Sequence, residues 1–95
     1  MIRSFSCKHT ETYFHTGKLP KKCGWKNIEK IAARKLDMID AAANLDDLKV
    51  PPNNRLERLK GDLKGFYSIR INSQWRVIFN WKNGNAMNVA IVDYH

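Results

Sequence analysis

Residues that can bind phosphate and move protons are concentrated in the second half of the chain. Arginines stand at positions 70 and 76, and the chain ends in Asp93, Tyr94 and His95. Histidine titrates near neutral pH, and a neighbouring Asp93 can orient it or set its charge. Tyr94 can stack on a base, hydrogen-bond a phosphate or transfer a proton. Together these residue types supply the groups that cleavage of RNA by its own 2′-hydroxyl requires.

In that reaction the 2′-hydroxyl loses a proton as it attacks the adjacent phosphate, cations stabilise the pentavalent phosphate, and the leaving 5′-oxygen gains a proton. Arg76 and Arg70 can donate paired hydrogen bonds to phosphate oxygens, and Lys60 adds a point charge. We therefore expect neither a metal nor a cofactor. The ordinary alternatives are weak salt bridges from the arginines to Asp62 or Asp93, and a solvated chain end at the terminal histidine.

The charge balance favours an anionic partner. Lys and Arg number 17 against 9 Asp and Glu, which gives a net charge of +8. Such an excess repels itself in a compact state, and nucleic acid is the first partner to consider. Two stretches, residues 17–26 and 53–65, are basic and are either solvated loops or phosphate contacts. The candidate RNA contacts are Lys21, Lys22, Arg58, Lys64 and Arg70.

Membrane, export and metal functions are disfavoured by the sequence. The chain has no window of about 18 apolar residues, and its opening MIRSFSCKHT lacks the apolar region of a secretory signal. We therefore expect a cytoplasmic protein with no membrane association. Cys7 and Cys23 make a disulfide framework improbable, and their spacing from His9 and His15 matches no zinc ligand pair.

Two helices are predicted in the first half of what we expect to be a single domain, residues 1–95. Residues 2–6 favour a short strand, and residues 8–16 favour a helix that Gly17 closes in a left-handed conformation. Apolar residues at helical spacing predict a second helix over residues 28–43, which Asn44 can close in the same way.

The middle of the chain carries signals that interrupt regular structure. Residues 45–50 lead into Pro51-Pro52, which forbids further helix. Residues 53–65 contain four basic side chains and two glycines. This composition favours an extended connection over a packed element.

From Phe66 the apolar period changes to two, which predicts three antiparallel strands in a meander and an α+β fold. The apolar positions of this segment are Tyr67, Ile69, Ile71, Trp75, Val77, Phe79, Trp81, Met87, Val89 and Ile91. All are odd-numbered, so they share one face only when both hairpin loops have an odd length.

Three-residue loops at residues 72–74 and 83–85 satisfy this parity. They place Trp81 opposite Met87, and they place Arg70 directly opposite Arg76 on the other face, where Tyr94 also lies. Like charges directly opposite one another destabilise a sheet, so the arginine pair favours a bound anion.

Five segments together resemble the HigB toxins of bacterial toxin–antitoxin systems. These are the opening MIRSF, RLERLKGD at residues 55–62, YSIRI, QWRVIF and the terminal VDYH. Each piece is weak alone, but the combination is specific and spans the whole chain. The resemblance implies a RelE/ParE-like fold, with a short N-terminal strand, two helices and the meander completing one sheet. It also implies a ribosome-dependent mRNA endonuclease that acts in the 30S decoding site and is neutralised by a HigA-like helix-turn-helix antitoxin.

The resemblance also implies where the catalytic region lies. It includes Lys60, Arg76, Asp93, Tyr94 and His95, which agrees with the face derived from strand parity. Several HigB toxins have a histidine where this chain has Glu57. Glu57 can serve as a base or orient Arg58 or Lys60, and the change is expected to make a weak toxin.

Two other functions remain open at this point. One is a ParE-like toxin that poisons DNA gyrase by binding, although the Asp-Tyr-His ending argues against it. The other is a non-catalytic basic RNA-binding module, because a fold alone does not establish a reaction.

Overall fold

Two helices and a four-stranded antiparallel sheet make up the regular structure of the computed structural model, which describes residues 1–93. The elements are α1 (Lys8–Thr16), α2 (Glu29–Ala41), β1 (Glu57–Arg58), β2 (Tyr67–Arg70), β3 (Trp75–Lys82) and β4 (Asn85–Asp93). The predicted α+β class is confirmed. Within the described residues, no helix is long and apolar enough to cross a membrane.

Both helices form where the sequence predicts them. Gly17 ends α1 at φ 75°, and its N–H donates to the carbonyl of Tyr13 at 2.8 Å, as expected of a left-handed cap. The prediction that Asn44 closes α2 in this way is wrong, because its φ is −129°. Instead its backbone N–H donates to the Asp47 carboxylate at 3.0 Å and so begins the 3₁₀ turn Leu45–Lys49.

The first hairpin of the meander has the predicted register. Arg70 lies opposite Arg76, and the N–H of Ile71 donates to the carbonyl of Trp75 at 2.9 Å. The loop therefore comprises residues 72–74.

The second hairpin differs from the prediction. Trp81 pairs with Ala86 and not with Met87, because the turn has two residues, Asn83 and Gly84, with φ of 52° and 79°. Asn-Gly is the preferred pair for such a turn. A bulge at Asn88 (φ 53°) then adds one residue to β4 and restores the expected alignment. Beyond this bulge Arg76 pairs with Val92 and Val77 with Ile91, as predicted.

The fourth strand of the sheet comes from an unexpected place. The segment at residues 2–6 forms two isolated parallel bridges to β4, Ile2 with Ala86 and Phe5 with Val89, and no regular strand. The fourth strand is β1, whose Glu57 pairs with Ser68. The prediction that residues 53–65 form an unpacked connection is therefore wrong.

The sheet is buried on both faces to different degrees. The main core packs α2 against the odd-numbered side of the meander and includes Leu36, Ile39, Ile69, Val77 and Phe79. On the other face, a smaller cluster is formed by Leu59, Ile78 and Ala90. This smaller cluster fixes the segment that follows β1 to the sheet.

Asn54 fastens the chain between α2 and β1. Its side chain is fully buried, accepts a hydrogen bond from Lys35 Nζ at 2.5 Å and donates to the carbonyl of Leu48 at 3.1 Å. A second, longer bond reaches the carbonyl of Val50 at 3.4 Å. The segment thereby acquires a definite position without a long helix or strand of its own.

We predict that Asn54→Ala lowers the free energy of unfolding by about 2 kcal/mol, because it leaves buried polar groups without partners. The matched control is the exposed neighbour Asn53, whose change to Ala should stay within about 0.5 kcal/mol. Urea denaturation measures both. Equal losses in the two variants would show that the Asn54 contacts do not hold this segment.

Candidate functional site on the arginine face of the sheet

The sheet face opposite the main core carries the residues predicted to bind phosphate. Strand pairing aligns Glu57 with Ser68, Ser68 with Ile78, and Arg70 with Arg76. These five residues define what we call the arginine face. It is a platform of three adjacent strands, so each side chain on it has a position set by backbone pairing.

Arg76 is the most constrained of these side chains. One guanidinium nitrogen, Nη1, donates to Ser68 Oγ at 2.6 Å, and the other, Nη2, donates to Glu57 Oε1 at 3.0 Å. The side chain of Arg76 is 11% exposed, whereas that of Glu57 is 48% exposed. The cation is therefore held in one orientation, while its carboxylate partner stays open to solvent.

Arg70 carries the second positive charge on this face. It is half-buried and lies directly across from Arg76. Within residues 1–93 the Glu57 carboxylate forms its salt bridge with Arg76, and no salt bridge involves Arg70. The juxtaposition of like charges predicted from the sequence is therefore confirmed, and the Glu57 carboxylate compensates only one of the two.

Lys60 lies immediately beyond the β1–β2 pairing. The preceding residue, Leu59, is buried in the smaller cluster, and its N–H donates to the carbonyl of Phe66 at 2.8 Å. Lys60 itself is exposed and begins the 3₁₀ turn Gly61–Leu63, and Lys64 follows this turn, also exposed. The buried leucine thus anchors a loop that presents lysines to solvent.

Arg58 is exposed and contacts Tyr67, and its contribution to RNA binding stays a prediction. Its Nη2 donates to the Tyr67 hydroxyl at 3.3 Å, and its guanidinium carbon lies 5.7 Å from the centre of that ring. The sequence leaves two roles open for Glu57, a base or a residue that orients Arg58 or Lys60. Its carboxylate bonds Arg76 and neither of those two cations, so the orientation role is corrected, and the role of a base stays a prediction.

Asp93 is not brought together with Arg76. It pairs with Trp75 across the β3–β4 ladder, and its Oδ2 accepts a hydrogen bond from Gln74 Nε2 at 2.9 Å. Because successive strand residues alternate between faces, this position is on the opposite side from Arg76. The predicted roles of Tyr94 and His95 fall outside the described residues.

Lys21 and Lys22 are exposed in the loop between α1 and α2, and their contribution to RNA binding stays a prediction. Among residues 1–93 no group of three or more His, Cys, Asp or Glu side chains is arranged to hold a metal ion.

Ser68 is the residue of the candidate site that sequence reasoning missed. It is fully buried and holds Arg76, and its even number places it on the same face as Arg70 and Arg76. That parity was available in the sequence. The contact of Glu57 was not, because it depends on the two-residue strand β1.

The arrangement suits the binding of a phosphodiester. A guanidinium held by Ser68 and Glu57 needs little reorganisation when negative charge develops next to it. Arg70 adds a second planar donor across the strand pair.

Comparisons with known proteins place this geometry in a family context. Residues 3–95 match the protein-family model of the HigB-like toxins, which is described as the RelE-like toxin of the type II toxin–antitoxin system HigB. The chain is 42% identical over 91 residues to Toxin HigB-1 of Vibrio cholerae serotype O1, covering 96% of this chain and 95% of that one. It is 33% identical over 95 residues to Endoribonuclease HigB of Proteus vulgaris, covering 100% of both chains.

Solved structures share the fold at lower sequence identity. A chain of the YoeB-YefM complex from Staphylococcus aureus superposes with a TM-score of 0.61 at 24% identity, covering 100% of this chain and 98% of that chain. A mutant of YafQ from E. coli gives a TM-score of 0.61 at 8% identity, covering 98% of this chain and 93% of that chain. The fold is thus retained where most residues differ.

We predict that Arg70→Gln raises the free energy of unfolding by roughly 0.5 kcal/mol, because it removes a like charge directly opposite Arg76. This increase in the free energy of unfolding should be smaller in 1 M NaCl, because a Debye length of about 3 Å screens the repulsion between the two arginines. The exposed Arg3, changed to Gln, is the matched control and should show neither effect. Thermal unfolding at two salt concentrations measures this, and a destabilised Arg70→Gln protein would contradict the interpretation.

Proposed function

The chain belongs to the HigB-like family of RelE-like toxins of type II toxin–antitoxin systems, and from this premise we propose that it cleaves mRNA held in the decoding site of the ribosome. It is an endoribonuclease, like its full-length relative from Proteus vulgaris. The ribosomal substrate and the cleavage position are the parts that we propose.

The orientation of Arg76 supports this proposal most directly. Its guanidinium is nearly buried and is held by Ser68 and Glu57 on adjacent strands. In the proposed reaction Arg76 donates hydrogen bonds to the oxygens of the scissile phosphate, and Lys60 supplies a second positive charge. Removal of such fixed donors typically slows a reaction by about 10²–10³-fold.

The attacking and leaving oxygens both belong to the RNA. The 2′-hydroxyl forms a new bond to phosphorus as it gives up its proton, and the bond from phosphorus to the 5′-oxygen breaks as that oxygen is protonated. The products are a 2′,3′-cyclic phosphate and a 5′-hydroxyl. We assign the two proton transfers to Tyr94 and His95, with Asp93 nearby in sequence.

We assign Glu57 the role of positioning Arg76. The carboxylate lies 3.0 Å from Arg76 Nη2, at the position where several HigB toxins have a histidine. Because Glu57 bonds Arg76, which is proposed to bind the phosphate, Glu57 affects the reaction by orienting Arg76. In this role Glu57 transfers no proton, so the proposed reaction does not require the family histidine at this position.

The proposed partners follow from the same surfaces. A net charge of +8 suits the ribosome, whose RNA provides a dense array of phosphates. We propose a HigA-like antitoxin as the neutralising partner, because the chain belongs to the HigB-like toxins of type II toxin–antitoxin systems. We further propose that the protein acts in the cytoplasm, where mRNA is translated.

We predict that Arg76→Ala and Lys60→Ala each reduce cleavage of a reporter mRNA by about 10²–10³-fold in a reconstituted translation system. Lys82→Gln, which removes an exposed cation at the end of β3, is the control and should cleave like the wild type. Primer extension on the reporter mRNA, with and without ribosomes, locates the cleavage sites and measures how much mRNA is cleaved. Intact mRNA with the wild-type protein as well as with the variants would contradict the proposal. DNA breaks that depend on gyrase would instead favour the ParE-like function.

We predict that Glu57→Gln slows cleavage less than Arg76→Ala and leaves the shape of the pH–rate profile unchanged. An amide retains an oxygen that accepts the Arg76 hydrogen bond, whereas loss of a general base costs about 10²–10⁴-fold. Glu11→Gln, on α1, is the charge-matched control. Disappearance of the acidic limb of the profile in Glu57→Gln would make Glu57 the base instead of a positioning residue.

A further inference from the structure

A cationic cavity of about 410 Å³ lies between α2, the 3₁₀ turn Pro52–Asn54 and the loop that follows β2. Its charged and amide-bearing lining residues are Arg34, Lys35, Arg55, Arg70, Asn53 and Asn72. Two isoleucines complete the lining, which includes no acidic side chain. The cavity is therefore a concave site with one sign of charge.

Lys35 is the most unusual of these cations because it is 7% exposed. Its Nζ donates to the neutral amide oxygen of Asn54, and no carboxylate in the described part of the chain forms a salt bridge with it. Burial first, and then the neighbouring Arg34, lower the pKa of Lys35. A buried cation without a carboxylate partner is stabilised when an anion enters the cavity.

Arg55 is held at the cavity by an uncommon backbone conformation. Its φ is 46° and its ψ is 55°, and its N–H donates to the carbonyl of Pro52 at 3.0 Å. A long side chain rarely adopts this left-handed conformation, and residues held in it are enriched at binding sites. The buried contacts of Asn54 hold the adjoining residue in place.

Arg70 joins this cavity to the arginine face. It lines the cavity and is also the cross-strand partner of Arg76. Directly opposed residues of an antiparallel pair have Cα atoms about 4.5–5.5 Å apart. A nucleic acid strand that places one phosphate at Arg76 therefore has another cationic site within reach of its backbone.

We propose that this cavity binds a backbone phosphate of RNA and acts as a second phosphate site beside the arginine face. The inference rests on the proposed function, because it takes RNA to be the molecule bound at Arg76. Three guanidinium groups and two side-chain amides offer planar and directional donors that suit the several oxygens of a phosphodiester. The cavity is large enough to accept part of the attached sugar as well.

The test compares Arg34→Gln combined with Arg55→Asn against a control that combines Lys49→Gln with Lys82→Gln. Both pairs remove two exposed cations, and asparagine tolerates the left-handed conformation at position 55. Arg70 and Arg76 stay intact, so the arginine face is unaltered. Thermal unfolding of each variant verifies that the fold is retained.

The probe is a fluorescent single-stranded RNA with 2′-O-methyl groups, which has no 2′-hydroxyl nucleophile and cannot be cleaved. Its affinity is measured by anisotropy across a range of NaCl concentrations. Each phosphate contact contributes about 0.7 to the slope of log affinity against log salt for a single strand. We expect the slope of the cavity variant to fall by about 0.7, the contribution of the one phosphate proposed to bind there, and that of the control to stay unchanged.

A second arm distinguishes substrate RNA from ribosomal RNA as the source of the phosphate. A reduced slope with the oligonucleotide assigns the cavity to the substrate strand. An unchanged oligonucleotide slope with a reduced slope for ribosome binding assigns it to ribosomal RNA. Both results support a phosphate site.

Equal slopes for the cavity and control variants in both arms would overturn the inference. A glutamate-rich peptide serves as a third probe. If the cavity variant binds this peptide more weakly but binds RNA and ribosomes like the control, the cavity is a site for an acidic protein partner and the inference is overturned. Because binding is measured without cleavage, these outcomes are separate from the failure of the proposed function, which is intact mRNA with the wild-type protein.

Discussion

The hydrogen bonds that Arg76 makes to Ser68 and Glu57 join three strands and determine what the sheet can bind. Each partner comes from a different strand, so the geometry at Arg76 exists only when β1, β2 and β3 are paired in register. On the same face Arg70 lies opposite Arg76, and this pair of like charges destabilises the sheet. Local instability of this kind is typical of surfaces that are completed by a ligand.

The parts of the fold that depend on periodicity were predictable from the sequence. Alternation from Phe66 onward indicated the strands, and an odd-length loop placed Arg70 opposite Arg76. The parts that depend on single residues were not. The Asn83-Gly84 turn and the Asn88 bulge shift the register twice and cancel, so the face was predicted correctly from a wrong loop length.

The site was predictable where strand parity decides it, and less so where tertiary contacts decide it. Arg76 and Arg70 were placed from alternation alone. Glu57 required β1, a strand of two residues that has too little length to show a period. The cationic cavity was also hidden in the sequence, because Arg34 and Arg55 come together only when Asn54 folds its segment onto α2.

The chemical nature of the new 3′ end on mRNA cleaved in programmed ribosomes tests the role of Arg76 most directly. Attack by the 2′-hydroxyl on a phosphate held by Arg76 predicts a 2′,3′-cyclic phosphate. It should form only when ribosomes are present and should be nearly absent with Arg76→Ala. A 3′-hydroxyl end, or cyclic phosphate formed equally well by the Arg76→Ala protein, would contradict this mechanism.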